Sequence, residues 1–370
     1  MLGVRIESLS LEKFRSFQEL SMDFKSANIH VLFGPNGAGK TNILESISVL
    51  SETKSFLGSQ EIDLVNWGEE YARVKAKLKN DQSEESLIEV VSQIAPRKQK
   101  ACFINDVRTQ LSDAVGHLPT VAFLPQDLEL FAGSPQVRRK FLDSLLSQVS
   151  PEYSKALSQY TKILKQRNSL LRKIAEGIAK RGDLKQWDQM LSDAGSILIL
   201  KRLELIEVFQ CTLLQEFNTL GEEWSSAELK YKRKGSARTE DDLACELQDL
   251  LGHYQERDIM LQSTTVGPHR DDWFVEADGR ELTTFASRGQ QRAAVLALIF
   301  LKVSFLEIRR GEKPVVLLDD VFSELDDNHQ RALLKCFDDY QVIISATHVP
   351  TELEGAKVWE VGEKVQTKVF

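Results

Sequence analysis

The sequence predicts an α/β domain assembled from both ends of the chain, with a helical lobe inserted between them. Strand patterns dominate the first 125 residues and return near the end, whereas the middle of the chain shows helical spacing. A glycine-rich loop also joins a short apolar strand to a helix. We therefore predict one domain built from residues 1–133 and 256–370, and a helical lobe over residues 134–255.

The positions of apolar residues predict the individual elements. Alternation over residues 20–24 and 74–78 predicts half-buried strands, and continuous apolar runs at 29–33 and 314–318 predict strands covered on both faces. Three-and-four spacing predicts helices. These are expected at residues 40–50, 137–149, 153–178, 184–220 and 289–308, with further strands at 341–345, near Thr265 and at 273–276, and a polar, mixed stretch over 222–255. The helical arms are too short for a long coiled coil.

The charge of the chain is unevenly distributed. The net charge is −8, but residues 131–182 contain eleven Lys or Arg against three acids. A basic segment can contact phosphates of a nucleic acid, and it can equally be a solvated helix face. No run of eighteen apolar residues is present, and the N-terminus lacks the layout of a signal peptide. The four cysteines form no C-x-x-C pair. A reduced, cytoplasmic protein without a membrane partner is expected.

The glycine-rich loop has the spacing G-x-x-x-x-G-K-[ST] and is expected to bind ATP. It comprises Gly34, Pro35, Asn36, Gly37, Ala38, Gly39, Lys40 and Thr41. The glycines allow backbone N–H groups to approach phosphate oxygens, and the following helix directs its positive end at them. Lys40 is expected at the β- and γ-phosphates, and Thr41 is expected to ligate Mg²⁺.

Two acids end the apolar run at 314–318. Ligands lie at the carboxyl ends of buried parallel strands, so Asp319 is expected to hold Mg²⁺, directly or through water. Asp320 is expected to orient or polarise the attacking water. Two solvated acids at a strand end are the alternative, which the preceding phosphate loop disfavours.

Three further features follow in a fixed order. Ser287, Gly289 and Gln290 begin the long helix and form an anion site at its N-terminus. Asp326 lies in a Ser-x-x-Asp turn after the acid pair, and His348 follows the last apolar strand. Each feature has a plain structural interpretation as a cap, a turn or a strand-end histidine. Their order after a phosphate loop is what points to function.

This order resembles that of ABC-type ATPases, and several roles are implied by the resemblance. Ser287 and Gly289 would contact the γ-phosphate of ATP held by a second copy, and Asp326 would lie at the dimer interface. His348 would contact the γ-phosphate in the same copy. Gln126 would reach Mg²⁺ and the attacking water, although it is also consistent with an ordinary loop residue.

Shorter stretches resemble the RecF family of the SMC/Rad50-like branch. They lie at residues 11–17, 41–47, 166–168, 267–272, 287–292 and 317–321. The resemblance implies an ATP-dependent homodimer that binds duplex DNA or single-strand/duplex junctions, with RecR and RecO as partners in replication, repair and the SOS response. By the same resemblance Arg15 would approach nucleotide phosphates, and a surface arginine is the alternative. The 267–272 segment has no mechanism that the residues reveal.

Other classes fit the sequence less well. The ATPase subunit of an ABC transporter normally has a shorter insertion between its glutamine and the capping serine. An SMC or Rad50 protein needs much longer arms, and a small-molecule kinase would leave Ser287 and His348 unused. Because the second acid is Asp320 rather than a glutamate, we expect slow ATP hydrolysis. The resemblance implies that this weak ATPase is stimulated by DNA and acts as a switch.

Overall fold

The computed structural model describes residues 2–80, 82–348, 353, 355–362 and 366–368. The chain forms two compact units. Unit 1 combines Met1–Glu129 with Arg292–Phe370, and unit 2 is the continuous segment Leu130–Gln291. The sequence prediction assigned residues 256–291 to the first domain, whereas in the structure they pack with unit 2. The reason is local, because the strand at 272–277 pairs with a strand of the lobe.

In chain order the strands are β1 (Leu2–Phe14), β2 (Phe17–Asp23), β3 (Ile29–Phe33), β4 (Tyr71–Asn80), β5 (Glu85–Gln93), β6 (Gln99–Ile104), β7 (Val107–Thr109), β8 (Thr120–Phe123), β9 (Ala227–Lys232), β10 (Asp272–Ala277), β11 (Arg280–Glu281), β12 (Glu312–Lys313), β13 (Val315–Asp319), β14 (Val342–Ala346), β15 (Lys357–Glu360) and β16 (Gln366–Lys368).

The helices are α1 (Lys40–Glu52), α2 (Glu61–Leu64), α3 (Leu111–Ala114), α4 (Pro135–Val149), α5 (Pro151–Ala175), α6 (Leu184–Gln210), α7 (Leu213–Thr219), α8 (Glu240–His253), α9 (Gln255–Leu261), α10 (Leu282–Phe285), α11 (Arg288–Arg310) and α12 (Asp327–Cys336). Short 3-10 turns cover Pro125–Glu129, Arg181–Asp183 and Phe322–Glu324. None of the helices in the described part of the chain is long and apolar enough to cross a membrane.

Unit 1 contains two sheets. The first has the order β12-β1-β4-β5-β6-β7, with β2 paired to β1. The second has the order β16-β15-β3-β14-β13-β8, and its strands from β15 to β8 are parallel. Residues of α1, such as Ile43 and Ile47, belong to the same buried apolar cluster as Leu9 of β1 and Leu317 of β13. The helix after the phosphate loop is therefore fixed by core packing.

Unit 2 contains helices α4 to α10, the start of α11 and a three-stranded sheet of order β11-β10-β9. Its helices confirm the predicted lobe, but two details of the prediction are wrong. The helix expected over 184–220 is interrupted at Cys211 and Thr212, and no strand forms at Thr265. The polar, mixed stretch at 222–255, for which no element was predicted, contains β9 and α8. At Thr265, side-chain hydrogen bonds organise a loop, which helix and strand propensities do not indicate.

Candidate nucleotide-binding site

The phosphate loop connects β3 to α1, as predicted. β3 ends at Phe33 and α1 begins at Lys40, so the loop has the strand–loop–helix context that phosphate binding needs. Two glycines are required by the structure. A Cβ on Gly34 would meet the carbonyl oxygen of Val361, and Gly39 has φ 99° with Phe17 Cζ only 2.7 Å from the position of a Cβ. A side chain at either position would displace the loop.

Lys40 lies at the N-terminus of α1 and is only 7% exposed. Its Nζ donates hydrogen bonds to the carbonyl oxygens of Gly34 at 2.6 Å and Pro35 at 3.0 Å. An ammonium group carries three donors, so one remains for a ligand at the centre of the loop. The loop therefore presents a buried positive charge together with the backbone N–H groups that begin α1.

Thr41 and Asp319 are brought together although 278 residues separate them. Thr41 Oγ1 donates to Asp319 Oδ1 at 2.9 Å and to Oδ2 at 3.1 Å. Ser345 Oγ of β14 donates to Asp319 Oδ1 at 2.6 Å and orients the carboxylate from the other side. Sequence reasoning missed Ser345, because a serine inside an apolar strand has no distinguishing pattern.

Oxygen ligands are what Mg²⁺ prefers, and the Thr41 hydroxyl and Asp319 carboxylate fit this chemistry. Within the described residues, no group of three or more His, Cys, Asp or Glu could hold a metal ion. Mg²⁺ commonly binds through one or two protein oxygens and completes its shell with phosphates and water. These two side chains are therefore suited to a metal that arrives with a nucleotide.

Asp320 has an unusual backbone conformation. Its φ is 52°, a left-handed value that is uncommon for a residue other than glycine. Its N–H donates to the backbone oxygen of Ser345 at 3.2 Å and to Ser345 Oγ at 2.9 Å, and Ser323 Oγ donates to its carbonyl oxygen at 2.8 Å. These bonds fix the backbone from which the half-buried Asp320 side chain extends after β13.

Burial raises the pKa of the Asp320 carboxyl above its ordinary 3.8; the Lys40 charge lowers it, and the Asp319 charge raises it. If Asp320 accepts a proton during hydrolysis, only its ionised form is active. We expect kcat/KM for ATP to fall as the pH drops, with a midpoint above 3.8, because this ratio reports the free protein. Measurements of kcat/KM across pH test this. Identical profiles for wild type and Asp320→Asn would contradict it.

The remaining predicted residues of unit 1 follow neighbouring strands of the parallel sheet. Gln126 lies in the turn after β8, the acid pair ends β13, and His348 follows β14. In the sheet β8, β13, β14 and β3 are adjacent, and the phosphate loop follows β3. Carboxyl ends of parallel strands share one edge, so the structure brings these residues to the same edge of the sheet. The side chains of Gln126 and His348 are exposed there.

Arg15 is engaged inside the protein. Its guanidinium donates to the two carboxylate oxygens of Glu45 on α1 at 2.7 and 2.6 Å, and also to Ser59 Oγ. Glu45 is fully buried and was missed by sequence reasoning, since it occupies an apolar helix face. The pair fastens the β1–β2 turn to α1. A role of Arg15 at nucleotide phosphates, which would require exchange of this pair, stays a prediction.

Ser287 and Gln290 cap the long helix α11 reciprocally. Gln290 N donates to Ser287 Oγ at 3.2 Å, and Ser287 N donates to Gln290 Oε1 at 3.0 Å. Ser287 and Gly289 are exposed. Asp326 caps α12 by accepting from the backbone N–H groups of Asn328 and His329, both at 3.0 Å. The start of α11 is as predicted, and α12 was not predicted. A role of Ser287 at the nucleotide of a second copy and of Asp326 at the dimer interface stays a prediction.

The parallel sheet, phosphate loop and acid pair define the head of a P-loop ATPase of the SMC/ABC class. The family model described as RecF/RecN/SMC N terminal domain matches residues 5–367. The chain is 35% identical over 368 residues to the DNA replication and repair protein RecF of Heliobacterium modesticaldum, covering 97% of each chain. It is 33% identical to RecF of Staphylococcus carnosus over 94% of each. The chain belongs to the RecF family.

Solved structures agree with this assignment. A structure of the recombination mediator protein RecF-ATPrS in the RecFOR pathway superposes with a TM-score of 0.89 at 30% identity, covering 99% of each chain. An SmcHead bound to the C-winged helix domain of ScpA shares the fold, with a TM-score of 0.55 at 15% identity. The predicted ATPase-head fold is confirmed, and the ABC transporter alternative is not favoured.

Proposed function

We propose that this chain is an ATP-dependent DNA-binding protein of replication and recombinational repair. ATP binding drives two copies together on DNA, and slow hydrolysis releases them. The observation that carries the proposal is the convergence of four functional segments at one edge of the parallel sheet in unit 1. The phosphate loop, acid pair, Gln126 and His348 supply the donors and acceptors that phosphoryl transfer to water requires.

Within one copy, the proposed roles follow from position. Residues 34–41 bind the triphosphate, with Lys40 at its β- and γ-phosphates. Thr41 and Asp319 hold Mg²⁺, with Gln126 as a further ligand beside the attacking water. Asp320 accepts the proton of that water.

His348 contacts the γ-phosphate. The short Asp320 side chain supports a slow reaction, and a turnover number above a few per second would contradict this expectation.

The second copy is proposed to complete the site. Ser287, Gly289 and Gln290 begin a helix, and a helix N-terminus favours an anion. Ser287 and Gly289 are exposed, so they are available to a γ-phosphate held elsewhere. Asp326 is also exposed and is proposed to lie at the interface between the copies. ATP would then form part of the dimer interface.

The partners are proposed from the relatives. Several are DNA replication and repair proteins, and two of the similar structures carry the RecFOR pathway in their names. We propose duplex DNA or a single-strand/duplex junction as the ligand, with RecR and RecO as protein partners. The exposed cations of the 131–182 segment support a phosphate-contacting surface.

The central test compares dimerisation and DNA binding with ATP, with ADP and without nucleotide. Wild type is expected to form dimers and to bind duplex DNA more tightly with ATP, and Lys40→Ala is expected to lose both responses. Removal of the buried ammonium deletes charge-assisted bonds to the phosphates. Lys98→Ala is the control, because Lys98 is an exposed lysine of the same unit. If the affinity for DNA is the same with ATP, with ADP and without nucleotide, ATP does not control DNA binding and the proposal is refuted.

A companion variant tests the contribution of the second copy. Ser287→Arg is expected to keep ATP affinity within about two-fold, because the phosphate loop is unchanged, and to lose the ATP-dependent dimer. Analytical ultracentrifugation with ATP measures the dimer. Ser236→Arg places the same side chain at another exposed serine of unit 2 and is expected to dimerise normally. Unchanged dimers in Ser287→Arg would exclude the role of Ser287 in trans.

A further inference from the structure

The 267–272 segment, which had no assigned mechanism, closes onto helix α5 through Thr264. The carbonyl oxygen of Thr264 accepts from Arg270 Nε at 3.1 Å and is hydrogen-bonded to His269 Nε2 at 3.1 Å. Asn168 Oδ1 accepts from Thr264 N at 2.9 Å and from Thr264 Oγ1 at 2.7 Å. Thr264 therefore joins residues 166–168 and 267–272, two of the stretches that resemble RecF proteins.

A fully buried arginine supports this junction. Arg167 donates to Asp188 on α6 at 2.7 Å, to Asp258 on α9 at 2.7 Å and to Thr264 Oγ1 at 2.8 Å. The other oxygen of Asp258 accepts from Thr265 N at 2.9 Å. One guanidinium thus bonds to both aspartates inside the lobe, and its Nη2 has no hydrogen-bond partner among the described residues. Hydrogen bonds from one buried side chain to α6, α9 and Thr264 connect these segments.

The rest of the 267–272 segment also contacts other side chains of unit 2. His269 Nδ1 lies 2.6 Å from Tyr160 Oη, and a Cβ on Gly267 would lie 2.6 Å from the same oxygen. Asp271 accepts from Tyr231 Oη at 2.9 Å, and Asp272 accepts from Arg138 at 2.7 and 2.8 Å. Within this segment Arg270 is the exposed residue. A rigid loop therefore presents one arginine to solvent.

The charge of Arg270 is not balanced by an acid. Its guanidinium donates to two neutral acceptors, Thr264 O and Ser263 Oγ, the latter at 3.1 Å. Several other arginines of unit 2 pair with carboxylates, among them Arg138, Arg181 and Arg233. Within the described residues no salt bridge involves Arg270. A guanidinium has five N–H donors, so three remain for a ligand.

Two further cations that form no salt bridge among the described residues lie on α5. Lys165 and Arg172 are exposed and lie three residues before and four residues after Asn168, which contacts Thr264. Residues at these spacings share one side of a helix. The neighbouring His269 adds no charge at neutral pH, because burial, followed by nearby arginines, lowers its pKa to about 4. The three exposed side chains thus make a cationic surface on rigid supports.

We infer that Arg270, with Lys165 and Arg172, is a contact site for the phosphodiester backbone of duplex DNA. The inference rests on the proposed function and adds a location to it. A planar guanidinium fits phosphate oxygens bidentately, and its fixed position reduces the entropy lost on binding. Backbone contacts give affinity without reading sequence. The buried junction at Thr264 serves to hold the arginine in place.

Salt dependence of DNA affinity tests the inference directly. Binding of a short duplex by the full chain is measured with ATP and Mg²⁺ over a series of salt concentrations. Each lost phosphate contact reduces the slope of log K against log salt by about 0.9. We expect this reduction and a several-fold loss of affinity at low salt for Arg270→Ala. Arg270→Lys keeps the charge and is expected to keep the slope.

Arg238→Ala is the matched control, since Arg238 is an exposed arginine of unit 2 that lies outside the 131–182 segment and 3.7 Å from Glu207. Its slope is expected to equal that of wild type. Should Arg270→Ala lower the melting temperature, Lys165→Ala replaces it. An unchanged slope in a folded Arg270→Ala protein that still binds DNA with ATP would overturn the inference alone. Absence of any ATP-dependent DNA binding by wild type would instead overturn the proposed function.

Discussion

Asp320→Asn is expected to reduce ATP hydrolysis by roughly 10²–10⁴-fold, the usual contribution of a general base. Asparagine has the same shape as aspartate but cannot accept the proton of the attacking water. ATP affinity is expected to change little, because Lys40, Thr41 and Asp319 are retained. The dimer formed with ATP should therefore persist for longer than in wild type. Single-turnover hydrolysis and the rate of dimer dissociation after ATP removal measure the two effects.

Asp339→Asn is the control for this experiment. Asp339 is an exposed acid of unit 1 that pairs only with Lys313, at 3.4 Å in the described structure. Its hydrolysis rate is expected to match wild type. If the rate of ATP hydrolysis by Asp320→Asn falls by less than about five-fold, another group activates the water, because a general base contributes more than that. A simultaneous loss of ATP affinity would mean that Asp320 has a structural role in the loop.

Arg202→Leu is expected to destabilise unit 2 by about 3–5 kcal/mol, the usual result of leaving a buried charge without its partner. Arg202 is 2% exposed. It donates to Asp143 Oδ1 at 2.7 Å, to Tyr153 Oη at 3.0 Å, to Tyr231 Oη at 3.2 Å and to the carbonyl oxygen of Pro268 at 2.7 Å. Leucine would leave these acceptors unmatched. Urea unfolding followed by circular dichroism measures the loss.

Arg238→Leu supplies the comparison. Arg238 is 68% exposed and lies 3.7 Å from Glu207, so its removal is expected to change the free energy of unfolding by about 0.5 kcal/mol or less. Asp143→Leu combined with Arg202→Leu removes both charges and is expected to recover part of the stability. Equal effects of Arg202→Leu and Arg238→Leu would show that the buried network carries no net stabilisation.

Much of the head could be predicted because its function imposes local patterns. The apolar runs that became β3, β13 and β14, and the loop between β3 and α1, follow directly from periodicity and glycine spacing. The order of the strands in the sheet could not be read from those runs. It depends on pairing between residues hundreds of positions apart, which no local pattern encodes.

Sequence motifs named residues that the structure brings together, but they did not reveal the residues that support them. Lys40, Thr41 and Asp319 are found by motif, but Ser345 and Glu45 occupy ordinary apolar elements and show their roles only through contacts. In the lobe, the junction at Thr264 was missed for the same reason, because its residues show their roles only through contacts. There, the 256–291 segment joins unit 2 through hydrogen bonds of Arg167, Asn168 and Arg202, which a helical periodicity does not reveal.

The position of β3 in its sheet has a consequence for synthesis of the protein. β3 precedes the phosphate loop, yet its two neighbours are β14 and β15, which end the sheet's described parallel strands at Val342–Ala346 and Lys357–Glu360. Unit 2 is continuous, so its contacts can form while the ribosome is still at work. The phosphate loop must wait until β14 and β15 have been synthesised. A chain that is cut short after the lobe would thus carry the motif for ATP without the sheet that shapes it.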